Sequence, residues 1–275
     1  MKLLKILAAV VGVLVIVVAA GMAVIAANFN PDKYKPEITA LVKEKTRRTL
    51  VIEGKLGLSV FPKLGVAVGK VRLSEPGSAK PFASLAEARV SLALLPLLSR
   101  RVVIDRVVVS GLNAELVRSK DGRLNIDDLT GPPVAEKGKP ADKGAGEPAP
   151  AVNLDIDGVD ISADSLGWRD ERDGTQLRIS GLKLKTGKIA DATPGKLDLS
   201  ARIEGVKPSV KLAIAVATGY RFDLATQAVA LSGLSAKVEG DAPGVAGLLA
   251  TLKGDIESDP AKGLVRLSGV ELSAA

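Results

Sequence analysis

Most of this chain is written in alternation. From Leu50 onward, apolar residues recur at every second position. Leu56, Leu58 and Val60 alternate across Gly57 and Ser59, and Val71 and Leu73 are interleaved with Lys70, Arg72 and Ser74. Ala88, Val90, Leu92 and Leu94 alternate with Glu87, Arg89 and Ser91, and Leu112, Ala114 and Leu116 with Asn113 and Glu115. A period of two sends successive side chains to opposite faces, so each run predicts a strand with one apolar and one wet face. Phe61-Pro62, Glu75-Pro76-Gly77-Ser78 and Asp121-Gly122 punctuate the runs as turns. Pro96 breaks LALLPLLSRR with a bend or short helix. Alternation resumes at Val152 and continues through Leu197, Leu199, Ala201 and Ile203, then Val210, Leu212, Ile214 and Val216, and again from Leu264. Ala246 to Leu252 is the one later stretch that also admits a helix.

Three segments break this pattern. Ile6 to Ala27 is 22 residues without a charge or a proline. As a helix it would extend roughly 33 Å, enough for a hydrocarbon core of about 30 Å. Lys2 and Lys5 precede it, which predicts residues 1–5 in the cytoplasm, a transmembrane anchor at 6–27 and residues 28–275 outside. The alternative is a cleaved signal peptide with a site near Val24-Ile25-Ala26, although its apolar region would ordinarily be shorter. Next, Asn30, Pro31 and Asp32 read as a helix start, and Ile38, Leu41, Val42 and Lys45 recur at helical spacing. This predicts an amphipathic helix over 32–48 whose apolar side caps a sheet. The last segment, GPPVAEKGKPADKGAGEPAPA at 131–151, lacks large apolar residues and predicts a disordered linker between β blocks at 28–130 and 152–275.

Composition narrows the chemistry. The chain contains neither Cys nor His, which removes thiol chemistry, disulfides and the commonest general base and metal ligand. The net charge of +7 is uneven: residues 28–130 carry 18 basic and 11 acidic side chains, and residues 152–275 carry 15 and 17. A basic membrane-proximal block suits an anionic lipid surface. Aromatics are only 3% and do not interleave the basic residues, which argues against nucleic acid.

No constellation rises to an active site. Asp127 and Asp128 with Asp105 can be drawn as a metal or acid/base group, but they read better as a solvated strand end. Asp170-Glu171-Arg172-Asp173 reads as a solvated turn without a complete Ca²⁺ loop. Glycines 54, 57, 65 and 69 lack the features of a phosphate cradle. The serines lack a base and a nucleophile elbow. Trp168 reads as a core or rim anchor. There is one internal echo: Ile104-Asp105, Val107, Val109-Ser110 and Asp121-Gly122 return 52 residues later as Ile156-Asp157, Val159, Ile161-Ser162 and Asp173-Gly174. Repetition of one unit suggests an elongated, stacked sheet.

Several stretches carry a resemblance in their succession. They are FNPDKYKPEITALVKEKTRRTLVIEGKLGLSVFPKLGVAVGKVRLSEP at 29–76, LLPLLSRRVVIDRVVVSGLNAELVRSKDGRLNIDDL at 94–129, IDGVDISADSLGWRDERDG at 156–174 and LRISGLKLKTG at 177–187. With the apolar run before them, they resemble the N-terminal domain of the AsmA family. The resemblance implies a non-enzymatic envelope protein of a Gram-negative bacterium, without cofactor or metal. It implies an inner-membrane helix and an elongated, curved, antiparallel-type periplasmic sheet. Family members are implicated in outer-membrane biogenesis, and larger relatives in conducting phospholipid along β-grooves. They usually run to several hundred residues, so a short paralogue or a truncated product is expected here. On this reading Leu56, Leu58, Val71, Leu73, Val90, Leu92, Leu112 and Leu116 line a groove for phospholipid acyl chains. The expected partners are the inner membrane, phospholipid and envelope assembly proteins. A scaffold that aids outer-membrane assembly without moving lipid is the competing function, and alternation alone suits a closed sandwich as well as an open groove.

Overall fold

A computed structural model describes residues 30–59, 63–94, 96, 103–130 and 155–275. The anchor at 6–27 and the linker at 131–151 lie outside these residues. Among the described residues no helix is long and apolar enough to cross a membrane.

The alternating segments build one open, curved sheet of fourteen strands. They are β1 (Leu50–Ile52), β2 (Leu56–Ser59), β3 (Lys63–Ser74), β4 (Pro81–Ala93), β5 (Ile104–Arg118), β6 (Asp155–Ile156) and β7 (Val159–Asp170), then β8 (Gln176–Thr186), β9 (Ile189–Ala190), β10 (Gly195–Lys207), β11 (Val210–Asp223), β12 (Ala228–Ala242), β13 (Val245–Asp259) and β14 (Leu264–Ala274). The spatial order is β1-β3-β4-β5-β7-β8-β10-β11-β12-β13-β14; β2 continues the β1 edge along β3, and β6 and β9 form a short pair beside β5. Val245–Asp259 is a continuous strand, so the helix admitted at Ala246 to Leu252 does not form. Its Leu248, Ala250 and Leu252 fall opposite Gly240, Val238 and Ala236 of β12. A neighbouring ladder outweighs local helix preference there.

The sheet is mixed rather than wholly antiparallel. β5 and β7 run parallel, with Val107 opposite Val159, Val109 opposite Ile161 and Arg118 opposite Asp170. Each of these pairs differs by 52 positions. The internal echo is therefore two copies of a segment lying side by side, and the two predicted β blocks share one sheet. Parallel neighbours need a crossover of a dozen or more residues, and the chain between Arg118 and Val159 supplies it.

A row of kinks crosses this sheet. Val109-Ser110-Gly111-Leu112, Ile179-Ser180-Gly181-Leu182, Leu231-Ser232-Gly233-Leu234 and Leu267-Ser268-Gly269-Val270 repeat one motif in β5, β8, β12 and β14. Each glycine is left-handed, with φ between 58° and 62°, where a Cβ is unfavourable. The motif is a bulge: across Gly233, for example, Ala217 faces Ser235 and Gly219 faces Ser232, so β12 carries one residue more than β11. In β3 the same place is taken by Lys70, with φ 44°. The extra residue resets the alternation, so apolar residues on either side of it face the same way. Bulges bend and twist a strand, and a row of them curves the sheet.

Asn30 accepts a hydrogen bond from the Asp32 amide at 3.1 Å and starts a 3₁₀ turn over Pro31–Tyr34. This turn leads into α1 (Lys35–Thr46), which ends at left-handed Arg47. The predicted helix is present and packs along β1, with the turn before it against β2. It does not seal its apolar side: Ile38 and Leu41 are 38% and 55% exposed. It is held instead at its two ends, by Leu56 N donating to Asp32 Oδ1 at 2.8 Å and by Arg48.

Candidate functional site: an uncovered apolar face

Register proves that the apolar residues share one side. β10 carries no bulge between Leu199 and Ile203, so these two residues face the same way. Their partners on β8 are Leu184 and Ile179. Those pair with Ile161 and Leu166 on β7, which lie beside Val109 and Ala114 on β5. Val109 and Ala114 face Ala88 and Ala83 on β4, and these face Val68 and Leu73 on β3. In the other direction Val216, Ala236, Leu252 and Leu272 continue the row to β14.

All eight predicted lining residues belong to this face. Leu56 and Leu58 of β2 sit opposite Val68 and Val66. Val71 and Leu73 of β3 sit opposite Ile52 and Leu50. Val90 and Leu92 of β4 meet Val107 and Ile104, and Leu112 and Leu116 of β5 meet Ala163 and Trp168. They spread along both halves of the strands, either side of the kink row. Whether they contact lipid is a matter for the proposal below.

Nothing described lies over this face. The substantial packing partners of β7, β8 and β10 to β13 are their neighbours in the sheet. The only buried apolar residues among those described are Val103, Ala163, Ala190 and Ala201, a set too small and scattered to be a sandwich core. A second sheet at about 10 Å would have buried the whole row.

The opposite face is charged, and its rows alternate in sign. Arg178 of β8 is opposite Glu204 of β10, Glu204 is opposite Lys211, and Lys211 is opposite Asp241. Opposite charges directly across strands stabilise a sheet. At this end the strands border a cleft of about 830 Å³, lined by Trp168, Leu177 and Val210 together with Arg178, Glu204 and Lys211. A smaller cleft of about 480 Å³ lies at the opposite strand ends, between Phe222, Val229, Leu264, Arg221, Glu257 and Arg266. Both combine apolar and ionic walls.

With no closed core, buried ionic locks take over part of the work of holding the strands. Arg48 is completely buried. Its Nε and Nη2 donate to the two carboxylate oxygens of Asp128 at 2.7 and 2.6 Å, and its Nη1 donates to the Ser74 carbonyl at 3.0 Å. The Asn125 carbonyl also accepts from Arg48, and the guanidinium lies 4.6 Å from the centre of the Phe82 ring. The Arg48 hydrogen bonds hold the Asp128 carboxyl below its ordinary pKa. The lock ties the end of α1 to the last residue of β3 and to α2 (Asp127–Thr130).

Asp105 and Asp127-Asp128, which the sequence drew as a metal or acid/base group but read better as a solvated strand end, are not brought together. Asp105 lies at the start of β5, and the chain turns back after Arg118 to bring α2, with Asp128, beside the other end of that strand. Asp105 accepts from Lys63 at 2.7 Å and from Ser91 at 2.9 Å, and the Lys63 bond is the main cause of its lowered pKa. Asp170 corrects the reading of its segment as wholly solvated. It is 1% exposed, pairs with Arg118 across the parallel strands, and accepts from the Arg172 amide at 2.9 Å. Trp168, its neighbour but one, lies 5.7 Å under the same Arg118 and is a rim anchor. Gly54 and Gly69 serve a close approach: a Cβ on Gly54 would sit 2.2 Å from the Gly69 carbonyl oxygen. Among the described residues, no group of His, Cys, Asp or Glu is arranged to hold a metal ion.

Reasoning from the sequence missed Arg48, Asn125 and Asp170 as structural residues. The signal for the kink row was present in the fourfold Ser-Gly repeat, which the period-two reading passed over.

These features define a class: an open β-sheet with one continuous, uncovered apolar face and one ionic face. The chain belongs to the AsmA family, whose profile matches residues 1–264. It is similar to Protein AsmA of Escherichia coli (strain K12), with 26% identity over 179 residues; the match takes in 63% of this chain and 27% of that protein. The chain thus spans well under two thirds of the length of that relative. No solved structure matches.

Proposed function

We propose that the apolar face receives phospholipid acyl chains and that the protein handles lipid in the envelope of a Gram-negative bacterium, as part of outer-membrane biogenesis. It does so as a non-enzymatic binding surface, held to the inner membrane by residues 6–27 with the sheet in the periplasm. The observation that carries this reading is the uncovered row from Val68 to Leu272. An apolar strip crossing ten strands is far larger than soluble monomers ordinarily expose, and such patches mark binding sites. Its lining is aliphatic, and small or β-branched residues contact acyl chains without selecting among them. Membership of the AsmA family supports the envelope setting.

Lipid mass spectrometry on the detergent-extracted chain tests the reading. Phospholipid at about one molecule or more per chain is expected, with a marked loss in Leu92→Asp and Leu116→Asp variants that keep their β-sheet circular dichroism. Lipid-free protein, or lipid content unchanged by both substitutions, would instead favour the scaffold function.

A further inference from the structure

Among the described residues, β14 is a bare edge of the sheet. All eleven of its residues are exposed, including Val265 at 68%, Leu267 at 61% and Leu272 at 75%. An unpaired edge with this much apolar surface is a template for another strand. Its sequence states which strand fits. Val265-Arg266-Leu267-Ser268 is followed by Gly269-Val270-Glu271-Leu272. Laid antiparallel on a second copy with Ser268 opposite Gly269, the strand places Val265 opposite Leu272, Arg266 opposite Glu271 and Leu267 opposite Val270. Every apolar residue meets an apolar residue, and both charges meet their opposites.

The kink agrees with this register. In β14 the bulge separates Leu267 from Val270, and two-fold pairing brings the bulges of the two copies into one row. The fold already contains such a pair. β7 and β8 both carry an extra residue, and Ala163 opposite Leu182 and Ser165 opposite Ser180 stay in one register across the kink. A shift by two residues would leave Arg266 opposite Ser273 and put the bulges out of line. A shift by one would set apolar residues against polar ones.

The charge rows agree as well. Arg266 Nη1 lies 3.1 Å from Glu257 Oε2 of β13, and Glu271 lies opposite Lys253. Edge-to-edge pairing would produce the row Glu257, Arg266, Glu271, Lys253, alternating in sign across the junction like the row from Arg178 to Asp241.

We propose that β14 is a two-fold interface through which two copies of this chain join edge to edge, merging their sheets and both apolar faces. The proposal does not depend on what the apolar face binds. Sedimentation of the 1–275 chain in mild detergent is expected to show a dimer. Arg266→Glu and Glu271→Arg should each weaken it about tenfold, since each substitution turns two symmetric attractive pairs repulsive. The double variant, which restores opposite charges, should recover dimerisation. Because the chain has no cysteine, Ser268→Cys provides a clean second readout, and mild oxidation should give a disulfide-linked dimer. Both charged side chains are exposed, so the variants are expected to keep the circular dichroism of the parent. A monomer at all concentrations would overturn the proposal. So would a dimer indifferent to both charge reversals, or a Ser268→Cys variant that cross-links to another protein rather than to a second copy.

Discussion

The two edges of this sheet are opposites. At the first, β1 and β2 are short, α1 lies along β1 with the turn before it against β2, and the buried Arg48 fastens the helix end to β3 and α2. At the last, β14 is eleven residues long and, among the described residues, uncovered and without a buried ionic group. The difference teaches where stability resides in a sheet that has no closed core. Ordinary domains bury an apolar layer and gain most of their stability from it. Here that layer faces outward, and the chain relies on lateral strand packing, charge rows and a few desolvated hydrogen-bonded ions. The locks lie in the first half of the sheet, and the second half repeats a regular ladder.

The largest effect should come from the best-buried lock. Arg48→Ala removes four hydrogen bonds and leaves Asp128 and two carbonyls without their donor. It should cost about 3–5 kcal/mol, with hydrogen exchange in α1, β1 and β3 rising well before that in β11 to β13. Uniform protection across the sheet would show that the edge does not depend on Arg48.

The kink row offers the next contrast. Gly111 has φ 62°, and a Cβ there would sit 2.7 Å from the Ala86 Cβ. Gly233 has φ 59° with nothing within 4 Å of its Cβ position. Gly111→Ala should therefore cost about 2–3 kcal/mol, combining backbone strain and a clash, and Gly233→Ala only about 1 kcal/mol. Urea titration of the two variants checks the order, and equal costs would contradict the packing described around Gly111.

Acid should separate the edges too. The Asp128 carboxyl has a folded pKa below its unfolded value of about 3.9, so its contribution is present above that value and is lost as pH falls through the folded pKa. Between neutral pH and about pH 5 stability at the first edge should be flat with respect to this group, and below about pH 4 it should decline. The Asp128→Asn variant should flatten that acid limb. An unchanged acid limb in Asp128→Asn would remove Asp128 from the account.

These contrasts also mark what the residues disclosed in advance. Alternation located the strands and put all eight lining residues on one face, because period two is a property of the backbone. The 52-residue echo held the β5–β7 register, though it was read as a stacked repeat and not as a parallel pair. Parallel pairing depends on where the long connection returns the chain, which local pattern does not encode. Arg48, Asn125 and Asp170 were illegible for a similar reason: their partners are 80, 50 and 52 residues away. Alone in sequence, each looks like a solvated charge or amide. Val245–Asp259 was misjudged at its start because Ala and Leu suit helices, and only the β12 ladder decides it.

The smallest effect is the most telling for function. In a closed core, Leu116→Asp or Leu252→Asp would bury an unpaired charge at a cost of several kcal/mol. On an uncovered face both should cost about 1 kcal/mol or less, in the first and second halves alike. A loss of about 4 kcal/mol at either position would mean that the face is covered in solution.

Photo-crosslinking by face tests the central claim most directly. Leu199 and Ile214 lie on the apolar face, and their sequence neighbours Asp198 and Ala215 lie on the other. A photoreactive residue placed at each position in living cells should cross-link phospholipid from 199 and 214 and not from 198 and 215. Equal lipid labelling from both faces, or none from 199 and 214, would contradict the account.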